Sequence, residues 1–180
     1  MNSSTRFYLG LLFSALTINS MPVSADTNRG CSLEGPYGYL FTGTSFTPTG
    51  PVPLTQTGLL SVDKSGNLSG EGSLAFQFTN FMGAGPLWLL LREVQSDGVI
   101  TPDASNPCTG VVAFLSTATV IKTSNSGLVP EGTVLYAEAP KSIAYTISGQ
   151  KNETVNLIST SVDTIASGVA HKQNKPKNGD

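Results

Sequence analysis

The sequence predicts an all-β fold, a single antiparallel β-barrel of eight or nine strands, with a two-sheet sandwich as the alternative. Three observations predict it. Apolar residues recur at period two along several segments and almost nowhere at 3.6. Clusters of Gly, Pro, Asn and Ser break the chain at short, regular intervals, and 19 Gly and 11 Pro supply the many turns this requires. The third is length: once an N-terminal leader is set aside, the chain is the size of one ordinary domain.

That leader is read over residues 1–25. Arg6 supplies a short positive region, and Phe7 to Leu16 forms an apolar stretch of ten residues. Val23-Ser24-Ala25 then offers the short side chains that a signal peptidase accepts, so cleavage is expected after Ala25. The apolar stretch is about half of what a membrane-spanning helix needs, so a cleaved export signal is expected instead of an anchor. Asn28-Arg29-Gly30 before Cys31 lacks the pattern of a lipidation box. Residues 26–171 are read as the barrel domain. The polar stretch Lys172 to Asp180 is read as a disordered tail with no apolar anchor.

Within the domain, Tyr37, Tyr39 and Phe41 share one face of a first strand opening at Gly35. Thr44 to Thr57, with Pro48, Pro51 and Pro53, reads as a long loop or flap. Gly58 to Gly72 is the strongest hairpin signal. Leu60 and Val62 lead into Asp63-Lys64-Ser65-Gly66-Asn67, where Asp can bond the backbone two residues on and Gly and Asn tolerate positive φ. Leu74, Phe76 and Phe78 then share a face. Asn80 to Pro86 reads as a loop over one end of the barrel, and Trp88 to Glu93 as a strand. Ala113, Leu115 and Thr117 alternate with Val112, Phe114 and Ser116 in a stretch apolar enough for burial on both faces. Val134 and Tyr136 oppose Leu135 and Ala137, and Ile143, Tyr145 and Ile147 share one face of a later strand. Further turns are read at Ser96-Asp97-Gly98, Pro130-Glu131-Gly132, Pro140-Lys141 and Gly149-Gln150-Lys151-Asn152.

Composition limits the function. The formal charge is −2, and it falls to −3 without the leader because Arg6 is the only charged residue there. No basic field exists to attract phosphate backbones, which argues against nucleic acid. Cys31 and Cys108 are an even pair in an exported chain, and such a pair points to a disulfide over metal binding or a reactive thiol.

The chain resembles a group of small exported bacterial proteins in a run of motifs spread over nearly the whole mature length. These are Cys31, Gly35-Pro36-Tyr37-Gly38-Tyr39, the Gly58 to Gly70 hairpin, Cys108-Thr109-Gly110, and Ser167-Gly168-Val169-Ala170-His171-Lys172. The resemblance implies a calycin-type or allene-oxide-cyclase-like β-barrel with an interior able to hold a small apolar molecule. The motifs are turn and strand chemistry, so they specify a fold better than an activity. The approach to Cys108, Thr101 to Pro107, departs from the pattern: it is longer and richer in proline.

Residues that could carry chemistry are few. His171 is the only histidine, at a strand end beside Lys172, where a side chain is more often plain surface than a base. Transition-metal ligands are too few for a site, and no Gly-x-Ser-x-Gly elbow supports a triad. Asp63, Ser65 and Asn67 loosely suggest a calcium loop, but Leu74 stands where the bidentate Glu belongs, so a hairpin turn is the better reading. No cofactor is implied. Arg92 and Glu93 adjoin in a strand, so they point to opposite faces and one of them can face inward. The aromatics Tyr37, Tyr39, Phe41, Phe76, Phe78, Phe81, Trp88, Phe114, Tyr136 and Tyr145 either line a cavity or fill the core, and solid or nearly solid packing is favoured. The ligand candidates are therefore Tyr37, Tyr39, Phe76, Phe78, Trp88, Arg92, Glu93 and Tyr145.

Three functions fit. The leading one is a secreted or periplasmic, non-catalytic barrel that binds a small hydrophobic molecule in the way lipocalins do. The second is a barrel-type cyclase or isomerase acting by confinement, for which a polar residue buried in the cavity is the marker. The third is an extracellular surface or matrix protein with an exposed apolar patch.

Overall fold

The computed structural model describes residues 30–48, 50–149 and 152–174. Residues 1–25, read above as a leader, the centre of the expected turn (150–151) and residues 175–180 of the expected tail lie outside them. Eight strands follow in chain order: β1 (Gly35–Thr47), β2 (Gly50–Val62), β3 (Asn67–Phe78), β4 (Leu87–Pro102), β5 (Thr109–Thr123), β6 (Val134–Ser148), β7 (Thr154–Ser159) and β8 (Thr164–Lys172). Each pairs antiparallel with its sequence neighbour, and β8 pairs with β1 over Tyr37↔Lys172 to Ser45↔Thr164. The sheet is thus a closed barrel, not a sandwich. Closure removes every sheet edge, which is how a small all-β chain satisfies its backbone without covering helices.

The alternating residues sort inside and outside as expected. Tyr37, Tyr39, Phe41, Leu74, Phe78, Tyr145 and Ile147 are buried, and the residues between them face outward or lie at intermediate depth. The hairpin β2–β3 turns at Asp63. Its Oδ1 accepts from the backbone N–H groups of Ser65 (2.8 Å) and Asn67 (2.9 Å), and its Oδ2 accepts from Asn67 Nδ2 (2.8 Å). Gly66 takes φ +81°, so each turn residue plays the part its chemistry suggests.

Several expectations are corrected. Thr44 to Thr57 is no flap: β1 and β2 continue to Thr47 and Gly50, and Pro53 pairs with Thr44. Pro51 and Pro53 are tolerated because the β2–β3 ladder ends at Leu54↔Phe76, leaving both prolines beyond it. Ser96-Asp97-Gly98 is a bulge inside β4, with Asp97 at φ +52°, and Pro140-Lys141 lies inside β6. Bulges and turns use the same residue chemistry, so the two read alike in sequence. The β5 stretch is buried on one face only, since Val111 and Ala113 are exposed among the described residues. The domain also runs past residue 171: Lys172 is the last residue of β8, and Gln173 donates its N–H to the Pro36 carbonyl.

At the end where the odd-numbered strands begin, Cys31 and Cys108 form a disulfide with Cα atoms 4.9 Å apart. A bridge closing 77 residues of separation stabilises the fold by about 4.5 kcal/mol in the chain-entropy account. It is consistent with an oxidising, extracytoplasmic setting. The opposite end carries the β1–β2 turn, the β3–β4 loop, the β5–β6 loop and the β7–β8 turn. In the β3–β4 loop, Phe81 packs edge-on against Phe78 at 5.0 Å between ring centroids.

Candidate functional site

The barrel is solid in one part and hollow in another. Around the disulfide end, Tyr37, Tyr145, Ile147, Val155 and Ala170 belong to the packed core, and the Tyr37 hydroxyl donates to the Asn152 carbonyl at 3.4 Å. Leu87, Leu89, Leu91 and Val120 fill the β4–β5 side. The remaining interior is a cavity of about 290 Å³. Its wall is mostly apolar: Phe41, Leu54, Leu74, Phe76, Phe78, Phe114, Ile143 and Leu157. Ser45, Thr47, Lys141, Ser159, Asp163 and Thr164 also line it, toward the end that carries the β1–β2 and β7–β8 turns. The favoured expectation of solid or nearly solid packing is therefore corrected: the interior holds a cavity, although Tyr37 and Tyr145 do not line it. For scale, this volume is about twice that of the ~150 Å³ apolar cavity that holds benzene. A ligand on the order of a dozen non-hydrogen atoms fits by that measure.

One wall of the cavity is polar. Glu93 on β4 points inward and is only 4 % exposed. Its Oε1 accepts from Tyr136 Oη at 3.0 Å and from Ser116 Oγ, and its Oε2 accepts from Gln56 Nε2 and from Gln95 Nε2 at 3.4 Å. Four donors from β2, β4, β5 and β6 thus converge on a group that, as a carboxylate, can only accept. No cation is among them, so hydrogen bonds alone replace the water that burial removes. The two amides reach further: Gln56 Nε2 donates to Tyr39 Oη at 3.0 Å, and Gln95 Nε2 donates to the same oxygen at 3.2 Å. One acceptor is unmet. Among the described residues, Gln95 Oε1 is buried without a partner, turned toward Gly70, at a cost of about 1–3 kcal/mol.

Two glycines make room for this cluster. Gly58 and Gly72 pair across β2 and β3, and Gly58 also pairs with Tyr39 on β1. A Cβ on Gly58 would stand 2.8 Å from Tyr39 Cε1, and one on Gly72 would overlap Tyr39 Oη. The hairpin glycines therefore seat the tyrosine as well as easing the strands.

Burial and the nearby carboxylate act together on the phenols. Desolvation first, then the negative charge of Glu93, push Tyr39 up to about 12. The same two causes, in the same order, raise Tyr136 further, and its hydrogen bond to Glu93 adds to them. Both stay protonated donors across the physiological range. At the mouth, Lys141 Nζ sits 5.3 Å from the centre of the Tyr136 ring and 3.7 Å from Asp163 Oδ2. A cation at the entrance is thereby connected, through one aromatic ring, to the polar wall.

The structure brings together four of the eight ligand candidates. Tyr39, Phe76, Phe78 and Glu93 line the cavity. Tyr37 and Tyr145 are interior but belong to the packed end and do not reach it. Trp88 and Arg92 are corrected: both occupy outward positions of β4, in alternation with the buried Leu87, Leu89, Leu91 and Glu93. Trp88 pairs with Gln77 on the outer surface, and Arg92 makes a two-point ion pair with Glu71 (2.6 and 2.8 Å) on the same side. His171 lies exposed on β8, 3.3 Å from Thr154 Oγ1. Gln56, Gln95 and Ser116 were not singled out from sequence, and Tyr136 only as one aromatic among ten. The available signal was phase. Gln56 falls in step with Leu54 and Leu60, Gln95 with Leu91 and Glu93, and Ser116 with Val112 and Phe114.

Compared with protein-family models, curated proteins and solved structures, the chain matches none.

Proposed function

We propose that this protein is a secreted or periplasmic binding barrel that holds a small, largely apolar molecule in its interior. The observation that carries the reading is the 290 Å³ cavity inside the barrel, walled mostly by aliphatic and aromatic side chains. Its size lies near the low edge of the roughly 300–1,000 Å³ typical of ligand sites, and it has the expected few convergent polar groups. Export rests on the leader-like residues 1–25 and is supported by the disulfide. The test is mass spectrometry of the protein purified from the cells that make it, native against denaturing, with an organic extract analysed alongside. A stoichiometric small molecule released on denaturation is the expected result. A clean apo mass would overturn tight carriage.

A second reading has one observation in its favour, the buried Glu93 cluster. A cyclase or isomerase acting by confinement needs a shaped apolar chamber with few ionisable groups, and a polar wall of this kind is where such chemistry would be steered. Incubating the extracted molecule with fresh protein separates the two readings. A carrier returns it unchanged, whereas a catalyst converts it to an isomer of the same mass.

A further inference from the structure

A hydrogen count around Tyr39 narrows the ligand class, on the premise that the cavity binds a ligand as proposed above. Tyr39 is 8 % exposed and lines the cavity. Its oxygen accepts two hydrogen bonds, from Gln56 Nε2 and Gln95 Nε2. Both nitrogens donate to Glu93 Oε2 as well. Turning either amide to accept from the phenol would set its oxygen against Glu93 Oε2, at 3.4 Å for Gln95 and closer for Gln56. Glu93 itself takes hydrogens from Gln56, Gln95, Ser116 and Tyr136, and its bonds do not include Tyr39. Gln95 Oε1 is turned toward Gly70 and has no partner among the described residues. The hydroxyl hydrogen of Tyr39 is thus left without an acceptor among the described residues, in a wall that otherwise pairs every donor.

We propose that Tyr39 donates this hydrogen to a neutral oxygen on the ligand, a carbonyl or ether oxygen on a mainly apolar body. The carboxylate explains why the oxygen is neutral. One amide nitrogen bridges Tyr39 Oη and Glu93 Oε2, so a ligand carboxylate accepting from Tyr39 would bring a second negative charge beside the first in a poorly solvated site. Glu93 therefore acts as a positioning residue: it fixes both amides, and the amides aim the phenol.

The test uses three probes of similar shape with the full mature protein: cyclooctanone, cyclooctane and cyclooctanecarboxylate. Titration is followed by calorimetry on wild type and Tyr39→Phe. The ketone-to-alkane affinity ratio is expected to fall about five- to tenfold in Tyr39→Phe, with the carboxylate weakest in wild type. Infrared spectra of bound cyclooctanone supply a readout that does not depend on the variant folding. In wild type the carbonyl stretch should lie below its value in an alkane solvent. An unshifted stretch, a ratio unmoved in folded Tyr39→Phe (as when only a water accepts from Tyr39), or tightest binding of the carboxylate overturns the assignment while leaving the cavity reading intact. Failure of all three probes to bind overturns the cavity reading itself, and the assignment with it.

Discussion

Tyr136 and Glu93 are joined by a 3.0 Å hydrogen bond that crosses the interior from β6 to β4, past the intervening strand β5. The bond ties a residue beside the cationic mouth to the carboxylate of the polar wall. It also makes the wall a single unit, because four donors depend on one acceptor. Glu93→Leu should therefore cost about 3 kcal/mol or more of unfolding free energy, since it strands buried donors on β2, β5 and β6. Urea denaturation measures this, and a change below about 0.5 kcal/mol would mean that the donors find other partners.

The tyrosines give the fold an alkaline limit. Burial raises all four described phenols, Tyr39 to about 12. A raised value means that the folded state holds the proton more tightly than the unfolded chain does. The stabilisation is complete below the unfolded value near 10 and is lost as pH rises through the folded values. For Tyr39 alone the two-unit difference is worth about 3 kcal/mol. Phenolate absorbance in the near ultraviolet should therefore stay low at pH 10 and rise with loss of the fold. Ordinary titration near pH 10 of a still-folded protein would contradict the burial.

Gly72→Ala should displace the Tyr39 hydroxyl and press on the Thr57 carbonyl, so that overpacking costs about 1–3 kcal/mol. Ligand binding should weaken in parallel. Thermal unfolding with and without cyclooctanone reports both effects.

Arg92→Ala and Trp88→Ala should leave binding of cyclooctanone unchanged, because both side chains stand on the outer surface. Calorimetric titration of each variant checks this, and a loss of affinity in either would place the site elsewhere.

How far the sequence could be read follows from the same strands. Tyr37, Tyr39 and Phe41 announce their shared face because aromatic rings recur at every second position, with Gly38 and Leu40 between them. The hairpin at Asp63 announces itself through turn chemistry. Leu87 to Leu91 is apolar at every position, so it hides which alternate residues turn inward, and Trp88 was misplaced for that reason. Glu93 was legible as half of an alternative, one of two adjacent charges. Asp97, at φ +52°, bends β4 from within, and Ser96-Asp97-Gly98 in sequence reads as a turn between strands. The polar wall was legible only in phase. Gln56, Gln95 and Ser116 sit at core positions, and recognising them needed the register of five strands at once.

The measurement that tests the central claim most directly is a crystal structure of the protein under xenon pressure. A dry apolar chamber takes up xenon, and the account predicts xenon density among Phe41, Leu54, Leu74, Phe76 and Leu157. An interior without xenon, with these side chains closed on one another, would contradict it.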